Sequence, residues 1–154
     1  MFEKVIIGYD NHGFELIEFI TKALNKIGQP FKILDCSGKD YVDAVKLALE
    51  KRSVKDGIIL ICGTGVGVSM VANKYKGIRA ALCMSPETAY FARKHENANC
   101  LCLASSYSDG VKKIKLSGAK AENIITTFFT TDFEGGRHLE RINRYSELGE
   151  KIGR

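Results

Sequence analysis

The chain has 154 residues, of which 45% are hydrophobic and 27% charged, and this is the balance of a soluble globular protein. No apolar run approaches the roughly 20 residues of a membrane-spanning helix, and Met1 leads into a strand-like segment without the pattern of a secretory signal. The formal net charge of +5 is compatible with nucleic acid or small anionic ligands, but basic and aromatic residues do not interleave as in RNA-binding modules. We therefore expect a cytosolic protein whose partner is neither a nucleic acid nor a membrane.

The cysteines bear on the redox state of the protein. Five are present and none forms a CxxC pair: Cys36, Cys62, Cys83, Cys100 and Cys102. Four of them lie inside apolar runs, whereas a disulfide framework needs loop positions and a zinc site needs clustered ligands. The pattern predicts reduced thiols, without disulfides and without a metal.

Short segments rich in β-forming residues alternate along the chain with longer segments of helical periodicity. The predicted strands span residues 4–9, 31–35, 57–62, 79–83 and 99–103. The third strand, GIILIC, is apolar throughout, as expected of a strand buried on both faces of a parallel sheet. With right-handed crossovers, this alternation predicts an α/β fold, a Rossmann-like three-layer sandwich with a five-stranded parallel sheet, in one domain over residues 1–154.

Apolar residues at helical spacing predict the helices between these strands. The first apolar face consists of Phe14, Ile17, Ile20, Leu24 and Ile27. The second face consists of Ala44, Leu47, Ala48 and, more weakly, Val54. We expect a helix containing Ala72, Asn73 and Lys74 after the third strand, another around residues 89–93, and a C-terminal helix at about residues 138–151 that packs on a partner subunit.

The loop after the third strand is the strongest functional signal, because ligands of such folds bind beyond the carboxyl ends of the strands. The strand ends in Cys62, and alternating glycines follow at Gly63, Gly65 and Gly67. Glycines let successive backbone amides turn toward one point, and the start of the next helix adds partial positive charge. The spacing is neither the dinucleotide fingerprint nor a P-loop. The loop is either a tight connection or an anion cradle, and a thiol beside its amides suits a base or nucleophile.

Other polar residues provide further candidates. Asp10 and His12 follow the first strand and share an edge with the cysteine if the two strands are neighbours, although an Asp there is often a helix cap. His95 lies near a helix end, where a solvated imidazole is the ordinary interpretation. Arg137 and Arg141 share one helix face, so they either clamp a phosphate or form a solvated basic surface.

Four segments together resemble the type B ribose-5-phosphate isomerases and the related galactose-6-phosphate isomerase subunits. They are GxDxxGF at residues 8–14, ICGTGVGxSxxANKxxGIRAA at 61–81, the stretch at 95–99, and EGGRHxxR at 134–141. The match runs over nearly the whole chain, and the glycine block followed by the Gly-Gly-Arg-His block is highly specific. The resemblance implies an isomerase of a small phosphorylated sugar, without metal or organic cofactor, working as a homodimer or tetramer whose active sites are shared between subunits.

The resemblance also implies roles for individual residues. Cys62 is expected to move a proton between C1 and C2, Thr64 and His95 to open the sugar ring, and Asp10 to hold substrate hydroxyls. The amides of residues 63–67 are expected to stabilise a cis-enediolate as an oxyanion hole. The implied sugar and phosphate contacts, with the two arginines on the phosphate, are Asn11, His12, Gly63, Gly65, Val66, Gly67, Asn97, Lys115, Arg137 and Arg141.

Three departures from the family pattern concern those contacts. The family's Asp-His in the first loop becomes Asp10 followed by asparagine, with the histidine one place later at His12. The family's His-Asn pair becomes His95 followed by glutamate, which adds a negative charge. After the fifth strand, Ala-Ser-Ser and a few extra residues replace Gly-x-Arg. If these residues form an inserted loop, Lys115 falls where the arginine would be and keeps the charge without the bidentate fork.

The departures leave the proton-transfer residues in place, so we expect isomerase chemistry with a shift in substrate preference or efficiency. The leading interpretation is interconversion of ribose 5-phosphate and ribulose 5-phosphate. One alternative is a hexose-6-phosphate isomerase of the allose or galactose type, and another is a non-catalytic sugar-phosphate-binding subunit. The presence of Cys62, Thr64 and His95 argues against a non-catalytic subunit. The displaced histidine and arginine argue mildly for a non-catalytic subunit.

Overall fold

A computed structural model describes residues 2–146, which contain a parallel sheet of five strands. The strands are β1 (Val5–Tyr9), β2 (Phe31–Ile33), β3 (Gly57–Cys62), β4 (Ala80–Leu82) and β5 (Cys100–Ala104). Their order across the sheet is β2-β1-β3-β5-β4, and every neighbouring pair is parallel. The predicted five-stranded parallel sheet is confirmed, with the GIILIC strand at its centre and buried at every position.

Helices cover both faces of the sheet, as predicted for a three-layer α/β sandwich. They are α1 (Ile17–Lys26), α2 (Tyr41–Lys51), α3 (Val66–Ala72), α4 (Pro86–Lys94), α5 (Gly118–Thr130) and α6 (Arg137–Ser146). One sheet face packs against α1, α4 and α5, and the other packs against α2 and α3.

The central strand divides its side chains between these two cores. Ile59 and Ile61 belong to the core under α1, α4 and α5, while Ile58, Leu60 and Cys62 belong to the core under α2 and α3. This follows from the two-residue period of a strand. Burial of each such Ile or Leu side chain contributes about 1.5–3 kcal/mol, so the strand that carries Cys62 is firmly held.

Two helices begin at caps that the sequence encodes. Asp40 accepts hydrogen bonds from the backbone amides of Val42 and Asp43 at the start of α2, at 2.9 and 3.0 Å. Ser85 and Thr88 form a reciprocal capping box at the start of α4. Each such cap contributes about 1 kcal/mol. The caps fix the points at which the loops from the sheet edge enter these helices.

The predicted apolar faces are wrong at two positions. Val54 is 87% exposed and lies beyond α2, which ends at Lys51. Phe14 is 69% exposed, because residues Gly13–Leu16 form a 3-10 turn whose three-residue period differs from that of the helix that follows. The buried residue of that turn is Leu16, which the sequence pattern did not single out.

The helix after β3 is shorter than predicted, since it ends at Ala72. Asn73 forms its C-cap, and Lys74 follows it. The Asn73 side chain accepts a hydrogen bond from the amide of Ala80 and donates one to the carbonyl of Ala80, both at 2.9 Å. Asn73 thus fastens the end of α3 to the start of β4.

The extra residues after β5 form a hairpin, which the sequence indicated only as an inserted loop. Strand β6 (Ser106–Ser108) pairs antiparallel with β7 (Lys113–Lys115). Asp109 accepts hydrogen bonds from the amides of Val111 and Lys112 at 2.9 and 2.7 Å, and Gly110 has a φ of 90°. This Asp-Gly chemistry is typical of a hairpin turn.

The C-terminal helix begins at Arg137 and is described as far as Ser146. The rest of the predicted helix at 138–151 lies outside the described residues. Within residues 2–146, the longest helices are too short and too polar to cross a bilayer.

Candidate active site

The carboxyl ends of the three central strands meet at one edge of the sheet. Cys62 pairs with Ala104 across β3 and β5. Beyond the strands, the amide of Asp10 donates to the carbonyl of Ile61 at 3.1 Å, and the amide of Ser105 donates to the carbonyl of Cys62 at 3.0 Å. The loops after β1, β3 and β5 are therefore tied to one another around the cysteine.

The thiol of Cys62 lies under the glycine loop. Its side chain is almost buried, and the backbone amide of Gly65 donates to its Sγ at 3.1 Å. Gly65 has a φ of 72°, and a Cβ there would lie 2.5 Å from Cδ1 of Leu82 and 2.9 Å from the amide nitrogen of Ala104. Only glycine fits this conformation and space. The hydrogen bond from the amide of residue 65 to the sulfur therefore depends on a glycine at this position. A donor in this position stabilises negative charge on the sulfur.

The remaining residues of the glycine loop are close to the start of α3. The amide of Val66 donates to Oγ1 of Thr64 at 3.3 Å. A Cβ on Gly67 would lie 2.9 Å from the ring of Tyr41, so this glycine permits close packing between α3 and α2. The loop is thus compact, with Thr64 two residues after Cys62.

Asp10 occupies the turn after β1. Its Oδ1 accepts hydrogen bonds from the amides of His12 and Gly13 at 2.9 and 3.2 Å, and its Oδ2 lies 3.7 Å from Nδ1 of His12. The side chain of His12 is about half exposed. Asp10 therefore does act as a turn cap, and its second oxygen faces the displaced histidine.

The hairpin completes this side of the site. Tyr107 in the hairpin and Ser105 just before it are two residues to which the sequence assigned no role. The ring of Tyr107 meets that of His12 edge to face at 6.0 Å, and its Cβ lies 3.1 Å from where a Cβ on Gly63 would be. The buried Ser105 hydroxyl lies 3.4 Å from the Cys62 carbonyl. In the sequence, the one signal that could have identified Ser105 is its position directly after β5, at the sheet edge. Lys115 is exposed on β7, opposite Ser106.

A second group of candidate residues lies where α4 ends and α6 begins. The ring of His95 stacks on the ring of His138, with centroids 4.2 Å apart and planes at 8°. Phe91 contacts the same His95 ring at 5.0 Å. Arg137 and Arg141 flank His138 on α6 and are both exposed. His138 belongs to the EGGRHxxR block, but the sequence assigned it no role.

Asn97 and Glu96 are already engaged by neighbouring residues. Asn97 has a positive φ of 46°, and its side-chain oxygen accepts a hydrogen bond from Arg93 at 3.0 Å. The hydroxyl of Tyr145 donates to the Glu96 carboxylate at 3.2 Å, which joins the end of α4 to α6. Burial first, and then the charge of Glu96, raises the pKa of Tyr145 to about 12. Asn11 is exposed in the turn after β1.

The donor atoms of His95, Glu134 and His138 lie within 4.8 Å of one another, and two imidazoles with a carboxylate suit zinc. Two features oppose a cation in this arrangement. The parallel rings direct their nitrogen lone pairs along separate planes, so both cannot point at one ion without rotating. Lys94 also lies 3.6 Å from the Glu134 carboxylate and already neutralises it.

Burial lowers the pKa of His138 below the usual value of about 6.5. Interaction with His95, Arg137 and Arg141 acts in the same direction, and the charge of Glu134 opposes it. The folded state therefore favours neutral His138. The stability that neutral His138 contributes is fully present above about pH 6.5, the pKa of the unfolded state. This stability is lost as the pH falls through the lowered pKa of the folded state.

We expect the free energy of unfolding, measured with urea between about pH 8 and about pH 5, to fall more steeply for the native chain than for His138→Phe. Phenylalanine keeps a buried ring but takes up no proton. Equal slopes for the two proteins would contradict this account.

Within residues 2–146, no hydrogen bond, ion pair or ring contact joins the group around Cys62 to the group around His95. The chain thus presents two clusters of candidate residues. The cluster at the sheet edge contains Asp10, Cys62 and Thr64, and the cluster at the α4–α6 contact contains His95 and the two arginines.

Comparison with known proteins identifies the class to which this architecture belongs. The family model described as Ribose/Galactose Isomerase matches residues 5–145, and the chain belongs to this family. A probable ribose-5-phosphate isomerase B of Mycoplasma genitalium is 41% identical, over 92% of this chain and 92% of that protein.

Solved structures agree in fold over nearly the whole length. Ribose 5-phosphate isomerase B of Anaplasma phagocytophilum is 35% identical with a TM-score of 0.81, covering 93% of this chain and 96% of the other. The Mycoplasma genitalium enzyme with bound ribulose-5-phosphate is 38% identical with a TM-score of 0.80, covering 94% of each chain. The resemblance inferred from the motifs is confirmed.

Proposed function

We propose that this chain is an aldose–ketose isomerase that interconverts ribose 5-phosphate and ribulose 5-phosphate through a cis-enediolate. The observation that carries the proposal is the thiol of Cys62 at the sheet edge, beneath the inward amide of Gly65. The relative of the same fold that holds ribulose-5-phosphate supports the same sugar here.

In the proposed reaction, Cys62 acts as the base. Its thiolate removes the proton from C2 of the open-chain aldose, and the electron pair moves through C1 onto the carbonyl oxygen. The amides of the glycine loop stabilise that oxyanion, and one such donor is typically worth about 3 kcal/mol of barrier. A proton then passes from the C2 hydroxyl to the C1 oxygen. The thiol returns its own proton to C1 while the electron pair left on O2 forms the ketose carbonyl at C2, which regenerates the thiolate.

Ring opening precedes this proton transfer, because the substrate is mainly a cyclic hemiacetal. It needs one group to take the proton of the anomeric hydroxyl and another to protonate the ring oxygen. Thr64 and His95 are the proposed pair, and the free oxygen of Asp10 is proposed to orient substrate hydroxyls. Asn11 and Val66 are exposed and Asn97 is half-buried, and all three are proposed to make further sugar contacts.

Arg137 and Arg141 are proposed to hold the phosphate, with Lys115 and His12 completing the anion site. The two arginines stand four residues apart on α6, so both guanidinium groups can reach one anion.

Replacing Arg137 by alanine is expected to raise KM for ribose 5-phosphate about 10- to 100-fold with little change in kcat, because a charged hydrogen bond is lost equally from ground and transition states. Steady-state kinetics of the purified variant measure this. Lys26→Ala is the matched control, since Lys26 is exposed at the far end of α1 and should keep the native KM. An unchanged KM in Arg137→Ala would remove the phosphate-clamp assignment.

We also propose that the active site is shared between two subunits. Within residues 2–146 the two clusters do not touch, and each has exposed apolar residues nearby. Around the glycine loop these are Tyr41, Val66 and Met70, and around the α4–α6 contact they are Tyr90, Phe91 and Leu139. Exposed apolar groups of this kind are typical of an interface.

Mixing two inactive variants tests the shared site. If Cys62 and His95 of one site come from different subunits, refolding a mixture of Cys62→Ala and His95→Ala chains restores about a quarter of native activity, because half the dimers are mixed and each has one intact site. No restoration from a mixture that forms mixed dimers would contradict the proposal.

The first test of the function itself is an isomerase assay with ribose 5-phosphate, with allose 6-phosphate and galactose 6-phosphate alongside. We expect turnover of ribose 5-phosphate. Turnover of a hexose phosphate alone would show that the displaced histidine and the hairpin have changed the pocket. No turnover of any of the three would favour a partner-dependent or binding-only subunit.

We further propose a single domain over residues 1–154 and a cytosolic location. The five cysteines are all unpaired and buried, as expected of a reducing compartment.

A further inference from the structure

We infer that His138 is a positioning residue for His95: its buried ring is the platform that fixes the plane of the His95 imidazole. The inference rests on the proposed function, because it assigns His138 to the ring-opening step in which His95 takes part. His138 itself touches no reacting atom in this scheme.

The contact between the two rings is close and parallel. Their centroids are 4.2 Å apart and their planes differ by 8°, while Phe91 contacts His95 at a tilt of 45°. His95 is the C-cap of α4, and the chain turns through the left-handed Asn97 two residues later. A helix end offers its side chain few neighbours. Among the described residues, the rings that contact His95 are those of Phe91 and His138, and the parallel His138 ring sets the plane of the imidazole.

The platform is itself held firmly. His138 is 4% exposed, and its amide donates to the carbonyl of Gly135 at 3.1 Å. Gly135 and Gly136 have φ values of 73° and 54° with open space where a Cβ would lie, so glycine is required there for the turn and not for packing. This turn starts α6 and places His138 under His95.

Contacts at the end of α4 fasten the same turn. The amide of Glu134 donates to the carbonyl of Lys94 at 3.0 Å, and their side chains form an ion pair at 3.6 Å. The Gly-Gly-Arg-His sequence therefore has two consequences. It presents Arg137 outward, and it turns the next residue inward against His95.

One ring nitrogen of His138 makes no hydrogen bond within the described residues. Its Nε2 is buried without a hydrogen-bond partner, and the nearest acidic oxygen, Oε1 of Glu134, lies 3.8 Å away. A buried polar atom left unpaired costs free energy, so hydrogen bonding does not explain why a histidine ring is buried at this position. A flat ring that holds His95 in place supplies an explanation, and a phenyl ring can supply the same surface.

Two substitutions separate the ring from the nitrogens. His138→Ala removes the platform and is expected to lower kcat about tenfold with KM changed less than about twofold, because misplacement of a catalytic group lowers the rate without removing the phosphate contacts. His138→Phe is expected to restore kcat to within about threefold of the native value. Circular dichroism checks that both variants fold.

A spectroscopic measurement reports the stack independently of activity. The chain has three histidines, so the imidazole C–H resonances are few, and a His95→Gln variant assigns those of His95. At one fixed pH, the ring current of residue 138 is expected to shift the His95 resonance upfield in the native chain and in His138→Phe. In His138→Ala this contribution is expected to be lost, leaving only the contribution of Phe91. An unmoved resonance in His138→Ala overturns the inference, whether or not the chain is an isomerase.

The kinetic outcomes also discriminate. If the native chain is active and His138→Ala keeps the native kcat, the inference is wrong while the proposed function stands. If His138→Phe is as slow as His138→Ala, the nitrogens matter and the platform account is wrong. Loss of native activity with EDTA and its return with Zn²⁺ would likewise overturn the inference, since His138 would then be a metal ligand.

Discussion

Replacing Cys62 by alanine is expected to lower isomerase turnover about 100- to 10,000-fold, because the proton between C1 and C2 loses its base. The fold should persist, since the side chain is small and the rest of β3 keeps its buried contacts. Coupled assays of ribose 5-phosphate turnover measure the loss, and circular dichroism checks the fold. Cys62→Ser keeps an acceptor for the Gly65 amide and should be nearly as inactive, because a hydroxyl ionises far less readily than a thiol.

Cys100→Ala is the matched control for this experiment. Cys100 is as buried as Cys62 but lies at the opposite end of the sheet, where its strand begins. Its loss should lower stability slightly and leave kcat unchanged. Substantial turnover in both Cys62 variants would contradict the assignment of the base and move attention to another group at the sheet edge.

Replacing Gly65 by alanine is expected to lower the free energy of unfolding by about 2–5 kcal/mol, from left-handed strain together with overpacking. The new Cβ would meet Leu82 at 2.5 Å and the β5 backbone at 2.9 Å. Any folded variant should also lose turnover, because the amide that faces the Cys62 thiol must move. Urea unfolding and kinetics measure the two effects.

Gly28→Ala separates strain from packing in that experiment. Gly28 has a φ of 67°, close to that of Gly65, but nothing lies within 4 Å of its Cβ position. It should lose only the strain component, about 1–2 kcal/mol, and keep its activity. If the two variants lose equal stability, the close packing of the glycine loop on β5 has no energetic weight.

Much of this fold can be predicted from local sequence patterns. A short run of apolar and mostly β-branched residues such as GIILIC is typical of a strand buried on both faces. Its alternation with helical segments favours a parallel sheet. Once the sheet is parallel, the strand ends that carry Asp10 and Cys62 must share an edge. The glycine loop and the arginine pair were likewise visible, because their chemistry depends on spacing within a few residues.

The ends of the helices and the short hairpin were harder to predict from the sequence. Val54 and Phe14 fit the helical period but lie outside the α-helices, because the positions at which the helices begin and end depend on caps and on a 3-10 turn. The hairpin at 106–115 has no long apolar pattern. Its place over the glycine loop is set by Tyr107 and by the hydrogen bonds of Ser105 to the Cys62 carbonyl, which join distant parts of the chain.

The sequence by itself determined the layered fold, the family and the chemical types of the candidate residues, because periodicity and motif spacing are local properties. Only the tertiary structure decided which of those residues meet. His95 and His138 are separated by 43 positions, and their stacking depends on how α6 packs against the end of α4. Contacts of that kind arise from the folded arrangement of whole elements, and no local pattern encodes them.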